Sequence, residues 1–456
     1  MQLGNRILES PKEISELLKS AAHPARIHVL ALLMQGDDRF SALMLHTKLS
    51  KTALANHLNH LVQMGLAQRI SRGKYSLTVD GKELLKAVSA VYENSMRREE
   101  NQREALRSRY TRGMIEGKIL SQKIISKKAV YQPCWLSYTG AMAGSLKALG
   151  VNCDIVDVGG YSGYAFLINV SKGITCPSGP TALGAVWRQI HKATESLGWT
   201  LERYAGSSRC YPEVEGKHAP NEIELARKLF EKVKQEIGNR DMPVILWGLV
   251  VPEYGIVTGY KRESYLTSTF RHLTNQSEDP ILFYDLHAPG GLEAFFFRNK
   301  IKTDQTLLGR EALERAVRFA EAETPTLDNY VSGPEAFDEW ADVLENLPEE
   351  KQNYHGNSYV AACVCEELAI SGEFLKRLAS KHPGKNSEHL LAAAECYAKG
   401  AQLMEEFTRI FPFKFQGEMK TKNRKRAAQL LRKVKPFEEE AIGHMKTALE
   451  KWSLTR

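Results

Sequence analysis

The sequence lacks the features that mark secreted and membrane proteins. Its 456 residues include only seven cysteines, scattered and without a Cys-x-x-Cys pair, and such a set suits a reducing compartment better than a disulfide framework. No apolar run approaches the ~18 residues that a membrane span needs. The first residues show no basic patch followed by an apolar core, so no signal peptide is expected. We therefore expect a cytoplasmic protein without membrane contacts.

Acidic residues are scarce in the first third of the chain. Residues 1–130 contain 22 Lys and Arg against 12 Asp and Glu, whereas the rest contains 40 against 42. A basic module on a near-neutral body is typical of a nucleic-acid-binding protein, although basic surfaces are often merely solvated. The chain is too long for one compact core, so two or three domains are expected.

Helical spacing and capping residues predict a cluster of short helices at the start of the chain. Ser50 is the expected N-cap of the last helix and Gly65 its C-terminal stop. The predicted helices cover residues 11–21, a segment beginning near His23-Pro24, residues 40–48 and residues 51–64.

The helix over residues 51–64 has an apolar side and a polar side. Leu54, Leu58 and Leu61 fall on the apolar side. The opposite, polar side carries Thr52, Asn56, Asn59 and Gln63, with His60 at its flank. This division is what a recognition helix needs, because the apolar side packs inward and the polar side offers donors to base edges.

A β-hairpin with a basic turn is predicted directly after this helix. The residues alternate in polarity from Leu66 to Ile70, turn over residues 71–74, and alternate again from Tyr75 to Thr78. Basic side chains at such a turn can hold phosphates or enter a minor groove. The hairpin is therefore interpreted as the wing of a winged helix-turn-helix.

The segment LSKTALANHLNHLVQMGLAQRISRGKYSLTVDG resembles the arsenic-repressor (ArsR-type) winged-helix family, and the resemblance covers about residues 12–90. It implies DNA binding through the start of the recognition helix. His57 corresponds to the family's usual histidine. It either packs between helices or contacts a phosphate, or it binds a metal ion. The candidate DNA-binding residues are Lys51, Thr52, Asn56, His57, Asn59, His60, Arg69, Arg72 and Lys74.

The paired cysteines of the family's metal sensors are missing from residues 40–46. We therefore expect neither a metal site nor a cofactor. The alternative to DNA binding is a winged helix that mediates protein contacts. A predicted helix over residues 81–110 carries an apolar stripe of Leu84, Leu85, Val88 and Val91. Because two-fold symmetric operators need two readers, this helix suggests a homodimer.

From Tyr131 onward the sequence changes to a mixed α/β pattern. Cys134 lies before a predicted helix over residues 136–149, and later strands are predicted at 243–248, 255–260 and 281–286. A cysteine at a helix N-terminus early in a domain is the layout of papain-like cysteine enzymes, where the helix end lowers the thiol pKa. The stretch over residues 157–170 alternates and is rich in glycine, which either lines a small-molecule pocket or forms tight β-turns.

The order of these elements resembles the C39-type peptidases and, more closely, the N-terminal domain of the butirosin biosynthesis protein H family. The resemblance implies that Cys134 is the nucleophile of an acyltransferase. The family's histidine position holds Glu253 or Tyr254 here, and a carboxylate is a poor base at neutral pH unless its pKa rises. His287 either takes the place of the family's histidine or has a structural role. Cys134 is either a nucleophile or a residue of a ligand pocket. The candidate catalytic or ligand-pocket residues are Gln132, Cys134, Glu253, Tyr254, Asp285 and His287.

The sequence thus predicts an α+β multidomain protein. The expected parts are a winged helix-turn-helix over residues 1–95, a helical linker over 96–128, a papain-like domain over 129–305 and a helical region over 306–456. The basic run over residues 420–426 is a solvated helix face or a second DNA contact. The leading hypothesis is an ArsR-type transcriptional regulator that binds double-stranded DNA and senses an unknown small molecule. The alternative is a cysteine-dependent acyltransferase or amidohydrolase with a fused DNA-binding domain.

Overall fold

The computed structural model describes residues 10–36, 38–93, 122–206, 220–303 and 305–452. They belong to two compact units, one containing the described residues up to 93 and the other those from 122 onward. The secondary structure mixes helices with antiparallel sheets. Within these ranges, no helix combines the length and apolar character that a bilayer crossing requires.

The first unit is a winged helix-turn-helix. Its strands form an antiparallel sheet in the order β1-β3-β2. Leucines of the recognition helix α4 are buried beneath it, together with Val29 and Leu30 of α2. The elements are α1 (Pro11–Ala21), α2 (Pro24–Gln35), β1 (Asp38–Arg39), α3 (Phe40–Thr47), α4 (Lys51–Gln63), β2 (Ala67–Ser71), β3 (Lys74–Leu77) and α5 (Val79–Glu93).

Local chemistry explains the ends of α4. The Ser50 side chain accepts a hydrogen bond from the Ala53 amide at 3.3 Å, so the predicted N-cap is confirmed. Gly65 follows the last turn with φ of 71°, a left-handed conformation that favours glycine. At α1, Ser10 holds the N-cap position, but its side chain makes no capping hydrogen bond.

Two predictions for this unit need adjustment. Helical spacing predicts an apolar side of Ile27, Leu30, Ala31 and Met34 for α2. The helix instead buries Val29, Leu30 and Leu33, and Ile27 and Met34 are about two-fifths exposed. The two-residue strand β1 is too short for a periodic pattern and was not predicted. The helix predicted over residues 81–110 begins at Val79 and continues to Glu93, and the remainder of that prediction lies outside the described residues.

The second unit contains a sheet of seven strands, all antiparallel, in the order β10-β9-β8-β7-β11-β6, with β4 also pairing with β8. The predicted strands at 243–248 and 255–260 are confirmed as β7 and β8. The predicted strand at 281–286 is only two residues long. The strands are β4 (Gln122–Ile124), β6 (Trp199–Ala205), β7 (Val244–Trp247), β8 (Tyr254–Lys261), β9 (Ser264–Ser268), β10 (Ile281–Leu282) and β11 (Glu293–Lys300). A separate two-stranded sheet pairs β5 (Asn169–Ser171) with β12 (Tyr330–Ser332).

One helix packs on β7 and β8 and another on the two-stranded sheet, and the last part of the described chain is mostly helical, as predicted. Three long helices of 28, 24 and 30 residues close the described part of the unit. The helices are α6 (Ser137–Ala148), α7 (Ile155–Ser162), α8 (Ala185–Thr194), α9 (Pro220–Gln235), α10 (Gln305–Ala320), α11 (Glu335–Asn346), α12 (Tyr354–Lys381), α13 (Ser387–Ile410) and α14 (Thr421–Glu450).

The glycine-rich stretch over residues 157–170 was predicted wrongly as alternating structure with pocket or β-turn glycines. Most of its first half is helix α7, capped by a reciprocal pair of Asp154 and Asp157. A Cβ on Gly160 would lie 2.1 Å from the Phe374 ring of α12. The glycine therefore allows two helices to pack closely.

The basic run over residues 420–426 begins α14. Arg424 departs from the expected solvated face, because it is buried and donates hydrogen bonds to the carbonyl oxygens of Leu344 at 2.8 Å and Leu347 at 2.9 Å. Those carbonyls end α11, where the helix itself supplies no donors. Arg424 is thus a structural cap for another helix.

Candidate functional site

The outer side of α4 is polar and open to solvent. Leu54, Leu58 and Leu61 are fully buried, which fixes the rotation of the helix. The predicted contact residues Lys51, Thr52, Asn56 and Asn59 are exposed, and His57 and His60 are half-buried. The amide and hydroxyl groups of the exposed side chains are donors and acceptors suited to base edges and phosphates.

His57 has a packing contact within the unit. Its ring lies 4.6 Å from the ring of His23, the N-cap residue of α2. Partial burial, followed by the charges of His23 and Arg26, lowers the pKa of His57. The imidazole is therefore biased toward its neutral form, and it joins α4 to α2.

The wing presents basic side chains around a tight turn. Arg69 and Arg72 are exposed and Lys74 is half-buried. Gly73 at the tip has φ of 75°, and the Arg69 side chain donates to the carbonyl oxygen of Ser71 at 3.3 Å. The hairpin thus orders its own turn, and the exposed Arg72 side chain can face a ligand of opposite charge.

Acidic residues are absent from the sequence that builds this surface. Residues 39–79, which span α3, α4 and the wing, contain six Lys and Arg and no Asp or Glu. A surface of one sign attracts the phosphate backbone of DNA and speeds its association.

Comparison with protein families assigns this part of the chain. Residues 23–69 match the family described as bacterial regulatory protein, arsR family. The segment is an ArsR-family helix-turn-helix domain. The match covers α2, α3, α4 and the start of the wing, and it indicates a DNA-binding transcriptional regulator. Comparison of the chain with curated proteins gave no significant match.

A second candidate site surrounds Cys134, just before helix α6. The Cys134 thiol donates a hydrogen bond to Oε2 of Glu366, a residue of α12, at 3.0 Å. The same oxygen accepts hydrogen bonds from the backbone N–H groups of Trp135 at 2.6 Å and Leu136 at 3.2 Å. These amides are free at a helix start, where a negative charge is favoured. An internal carboxylate therefore occupies the amino end of α6.

The environment of Cys134 corrects the expected activation of its thiol. The helix end was expected to lower the thiol pKa, but burial and the facing Glu366 carboxylate raise it well above its ordinary value. The carboxylate compensates the partial positive charge of the helix end and repels a thiolate. The sulfur is thus a protonated donor at neutral pH.

Glu253 contacts α12, the helix that also carries Glu366. It immediately precedes β8, and its carboxylate accepts a hydrogen bond from the Tyr359 hydroxyl of α12 at 2.5 Å. Burial raises the pKa of Glu253 to about 7, although the side chains of Ser137 and Tyr359 favour its charged form. Its other oxygen, Oε2, is buried and has no hydrogen-bond partner in the described part of the chain. A carboxyl group with a free buried oxygen is suited to a polar ligand.

The other predicted pocket residues have different surroundings. The Tyr254 hydroxyl donates to Glu293, and its ring packs 4.8 Å from that of Trp247, within the buried core. The Gln132 amide donates to the carbonyl of Val130 at 3.0 Å. The main-chain N–H of Asp285 donates a hydrogen bond to the carbonyl oxygen of Leu282 at 2.9 Å. The main-chain N–H of His287 donates to the carbonyl oxygen of Gly248 at 2.8 Å.

Aromatic rings border the Cys134 site. The Trp135 side chain is about two-fifths exposed, and its ring lies 4.9 Å from Phe413 and 6.2 Å from Tyr359. Phe415 packs 5.8 Å from Phe413 and is 72% exposed. Apolar rings beside buried carboxyl groups form a surface that could hold a small amphipathic molecule.

Sequence reasoning missed Tyr359 and Glu366, which bring Cys134 and Glu253 to one helix. A signal was present: Glu366 and Glu367 interrupt the otherwise apolar segment over residues 361–370. Glu367 is buried, and both its carboxylate oxygens lack hydrogen-bond partners among the residues described. Adjacent carboxylates within an apolar helix indicate a functional or strained position, because their burial is costly.

Proposed function

We propose that the ArsR-family domain binds double-stranded DNA through the recognition helix and the wing, and that the second unit senses a small molecule that controls this binding. The observation that carries the DNA part is the continuous stretch of residues 39–79, with six basic and no acidic residues around an exposed polar helix face.

In this proposal the side chains divide their roles by chemistry. Asn56 and Asn59 project from the middle of α4 and read base edges, since a carboxamide both donates and accepts. Lys51 at the helix start and Arg72 at the wing tip hold phosphates. His57 keeps α4 in register with α2.

The DNA part is tested with charge-matched variants. Lys51→Ala and Asn56→Ala should each weaken binding to the protein's own promoter duplex by about 5- to 100-fold, the loss expected for a phosphate or base contact. Lys12→Ala removes an exposed lysine of α1 and should change the affinity by less than about 2-fold. Equal effects of all three changes in fluorescence anisotropy would contradict the assignment of α4 as the reading helix.

The sensing part rests on the site around Cys134 and Glu253. Helix α6 packs against β7 and β8 of an antiparallel sheet, an arrangement that supports the proposed papain-like origin of the unit. The raised pKa of the thiol favours ligand binding over nucleophilic attack, since the thiolate is the reactive form. We therefore favour a receptor over the acyltransferase or amidohydrolase alternative.

Glu366→Gln tests the sensing part separately. The amide oxygen can still accept from the helix amides, but the charge at the amino end of α6 is lost. If the site is coupled to DNA binding, operator affinity should change by about 5- to 150-fold, the usual range of an allosteric coupling. Glu350→Gln, at an exposed position, is the control. A folded Glu366→Gln protein with unchanged DNA affinity would contradict sensing at this site and leave the DNA proposal intact.

The proposal includes a homodimer, since paired domains match two-fold symmetric operators. Helix α5 supplies the surface that supports it. Leu84 and Leu85 pack partly against the core of their own unit, whereas Val88 is half-buried and Val91 is 74% exposed. A second copy of α5 would cover Val88, Val91 and the exposed parts of the two leucines.

A further inference from the structure

Three different metal-binding side chains meet between the last two helices. Cys396 belongs to α13, and Glu440 and His444 belong to α14. One ligand atom from each, the sulfur, a carboxylate oxygen and a ring nitrogen, lie within 4.8 Å of one another. Across the described ranges this is the one group of three or more such residues with that spacing.

The backbone explains why these atoms converge. Glu440 and His444 are one helical turn apart and therefore project from the same side of α14, with 3.8 Å between Oε1 and Nε2. Cys396 faces them from α13 and is only 4% exposed. Glu440 is exposed and His444 is half-buried, so the group is closed on the side of the sulfur and open to solvent on the other side.

A second imidazole lies beside this group. His389 precedes Cys396 by two helical turns on α13, and its ring centroid is 5.9 Å from that of His444. Its Nε2 contacts the Lys451 ammonium at 2.5 Å, and that hydrogen bond would have to break if this nitrogen were to bind an ion. His389 lies outside the group of three ligand atoms within 4.8 Å of one another, so its side chain must rotate to supply a fourth donor.

We propose that Cys396, Glu440 and His444, with His389 as the fourth ligand, bind a divalent transition-metal ion of the zinc class. Thiolate, imidazole and carboxylate together are ligands that Zn²⁺ accepts in tetrahedral sites. Calcium and magnesium are poor candidates, because both prefer a shell of oxygen atoms. Binding releases the Cys396 proton and fastens α13 to α14.

The distances require only a small closure. Zinc bonds of about 2.0–2.3 Å place neighbouring tetrahedral ligands about 3.4–3.7 Å apart, so atoms now within 4.8 Å move inward by about 1 Å. Rotation of the exposed Glu440 side chain and the half-buried His444 side chain can supply such a shift. The sequence gives no spacing motif for this site, because its ligands are spread from residue 389 to residue 444.

The experiment is a titration of the full-length, metal-free protein with Co²⁺ and then Zn²⁺. A cobalt–thiolate charge-transfer band that Zn²⁺ abolishes would show that a cysteine binds the ion. The first 133 residues contain several histidines but no cysteine. Metal bound by the ArsR-family domain therefore cannot produce that band, and the two sources are distinguished.

Variants assign the ligands. Cys396→Ala should abolish the charge-transfer band, and His444→Gln and His389→Gln should each weaken Zn²⁺ binding at least about 10- to 100-fold, since even outer-shell changes cost that much. Cys365→Ala, which removes a half-buried thiol on α12, should leave the charge-transfer band and the Zn²⁺ affinity unchanged. Absence of the band, a band that survives in Cys396→Ala, or an unchanged Zn²⁺ affinity of His444→Gln would overturn the proposal. His444→Gln changes a partly exposed side chain, so it remains informative if the cysteine variant fails to fold.

Discussion

Glu438 illustrates how a single buried carboxyl group links stability to pH. It lies on α14, is 2% exposed, and its Oε1 accepts a hydrogen bond from the Tyr397 hydroxyl at 3.0 Å. Burial raises its pKa from 4.5 to about 8. The folded protein therefore holds a proton that the unfolded chain releases, and stability falls as pH rises from about 5 to about 8.

Glu438→Gln should remove this fall in stability at high pH. Relative to the wild type, the variant should gain about 2–5 kcal/mol of unfolding free energy between pH 5 and pH 9, since each unit of pKa shift corresponds to about 1.4 kcal/mol. Urea denaturation at the two pH values measures it. Glu439→Gln changes the exposed neighbour and should show the same pH dependence of the unfolding free energy as the wild type. Parallel pH profiles for wild type and Glu438→Gln would show that the carboxyl group is not buried as described.

Cys134 gives a second residue-scale prediction. Its thiol is protonated because burial and Glu366 raise its pKa, and the thiol form reacts slowly with alkylating probes. Cys134 should therefore react more slowly than a free cysteine, and Glu366→Gln should accelerate its alkylation because it removes the facing negative charge. Mass-spectrometric labelling rates decide between the proposals. Faster labelling of Cys134 than of the other six cysteines in the wild type would favour the enzyme alternative.

At the scale of elements, the packing of α7 on α12 depends on glycine. A Cβ on Gly160 would lie 2.1–2.7 Å from ring atoms of Phe374, too close for the helices to keep their distance. Gly160→Ala should therefore destabilise the protein by about 1–3 kcal/mol. Gly443→Ala is the matched control, because that exposed helical glycine has open space at its Cβ and alanine there should stabilise by about 0.5–1 kcal/mol. Chemical denaturation tests both, and equal effects would contradict the close packing.

The elements that the sequence predicted correctly are those with a local pattern. Helix α4 combines a clear apolar face, an N-cap serine and a terminal glycine, all within the 16 residues from Ser50 to Gly65. Strand β11 was missed because its run of three phenylalanines, residues 295–297, is buried on both sides and shows no alternation. Helix α7 was missed because glycines and β-branched residues obscured its capping pair, Asp154 and Asp157.

The candidate sites show the same limit. The DNA-facing residues lie within one helix and one hairpin, so the sequence brought them together. The contact between Cys134 and Glu366 spans 232 positions, and no local periodicity encodes a partner at that separation. The only sign of this position in the sequence is the pair of carboxylates, Glu366 and Glu367, within an apolar helix.

At the scale of the whole molecule, the proposed homodimer makes a prediction about α5. Sedimentation velocity should give twice the 51.3 kDa chain mass. Glu substitutions at Val88 and Val91 place charge on the apolar stripe and should shift the protein to monomer, with operator affinity falling at least about 10-fold because two linked readers bind more tightly than one. Lys86→Glu, on the same helix at an exposed position, is the control. A wild-type protein that is monomeric at micromolar concentration would contradict the dimer.

The central claim, that the ArsR-family domain makes this protein a sequence-specific DNA-binding regulator, is tested most directly by one measurement. Fluorescence anisotropy compares the duplex of its own promoter region with a random duplex of equal length over a range of salt concentrations. The account predicts binding to the promoter at least about 1,000-fold tighter at physiological salt, with affinity for both duplexes falling as salt rises because phosphate contacts release counterions. Equally weak binding of the two duplexes at physiological salt would contradict it.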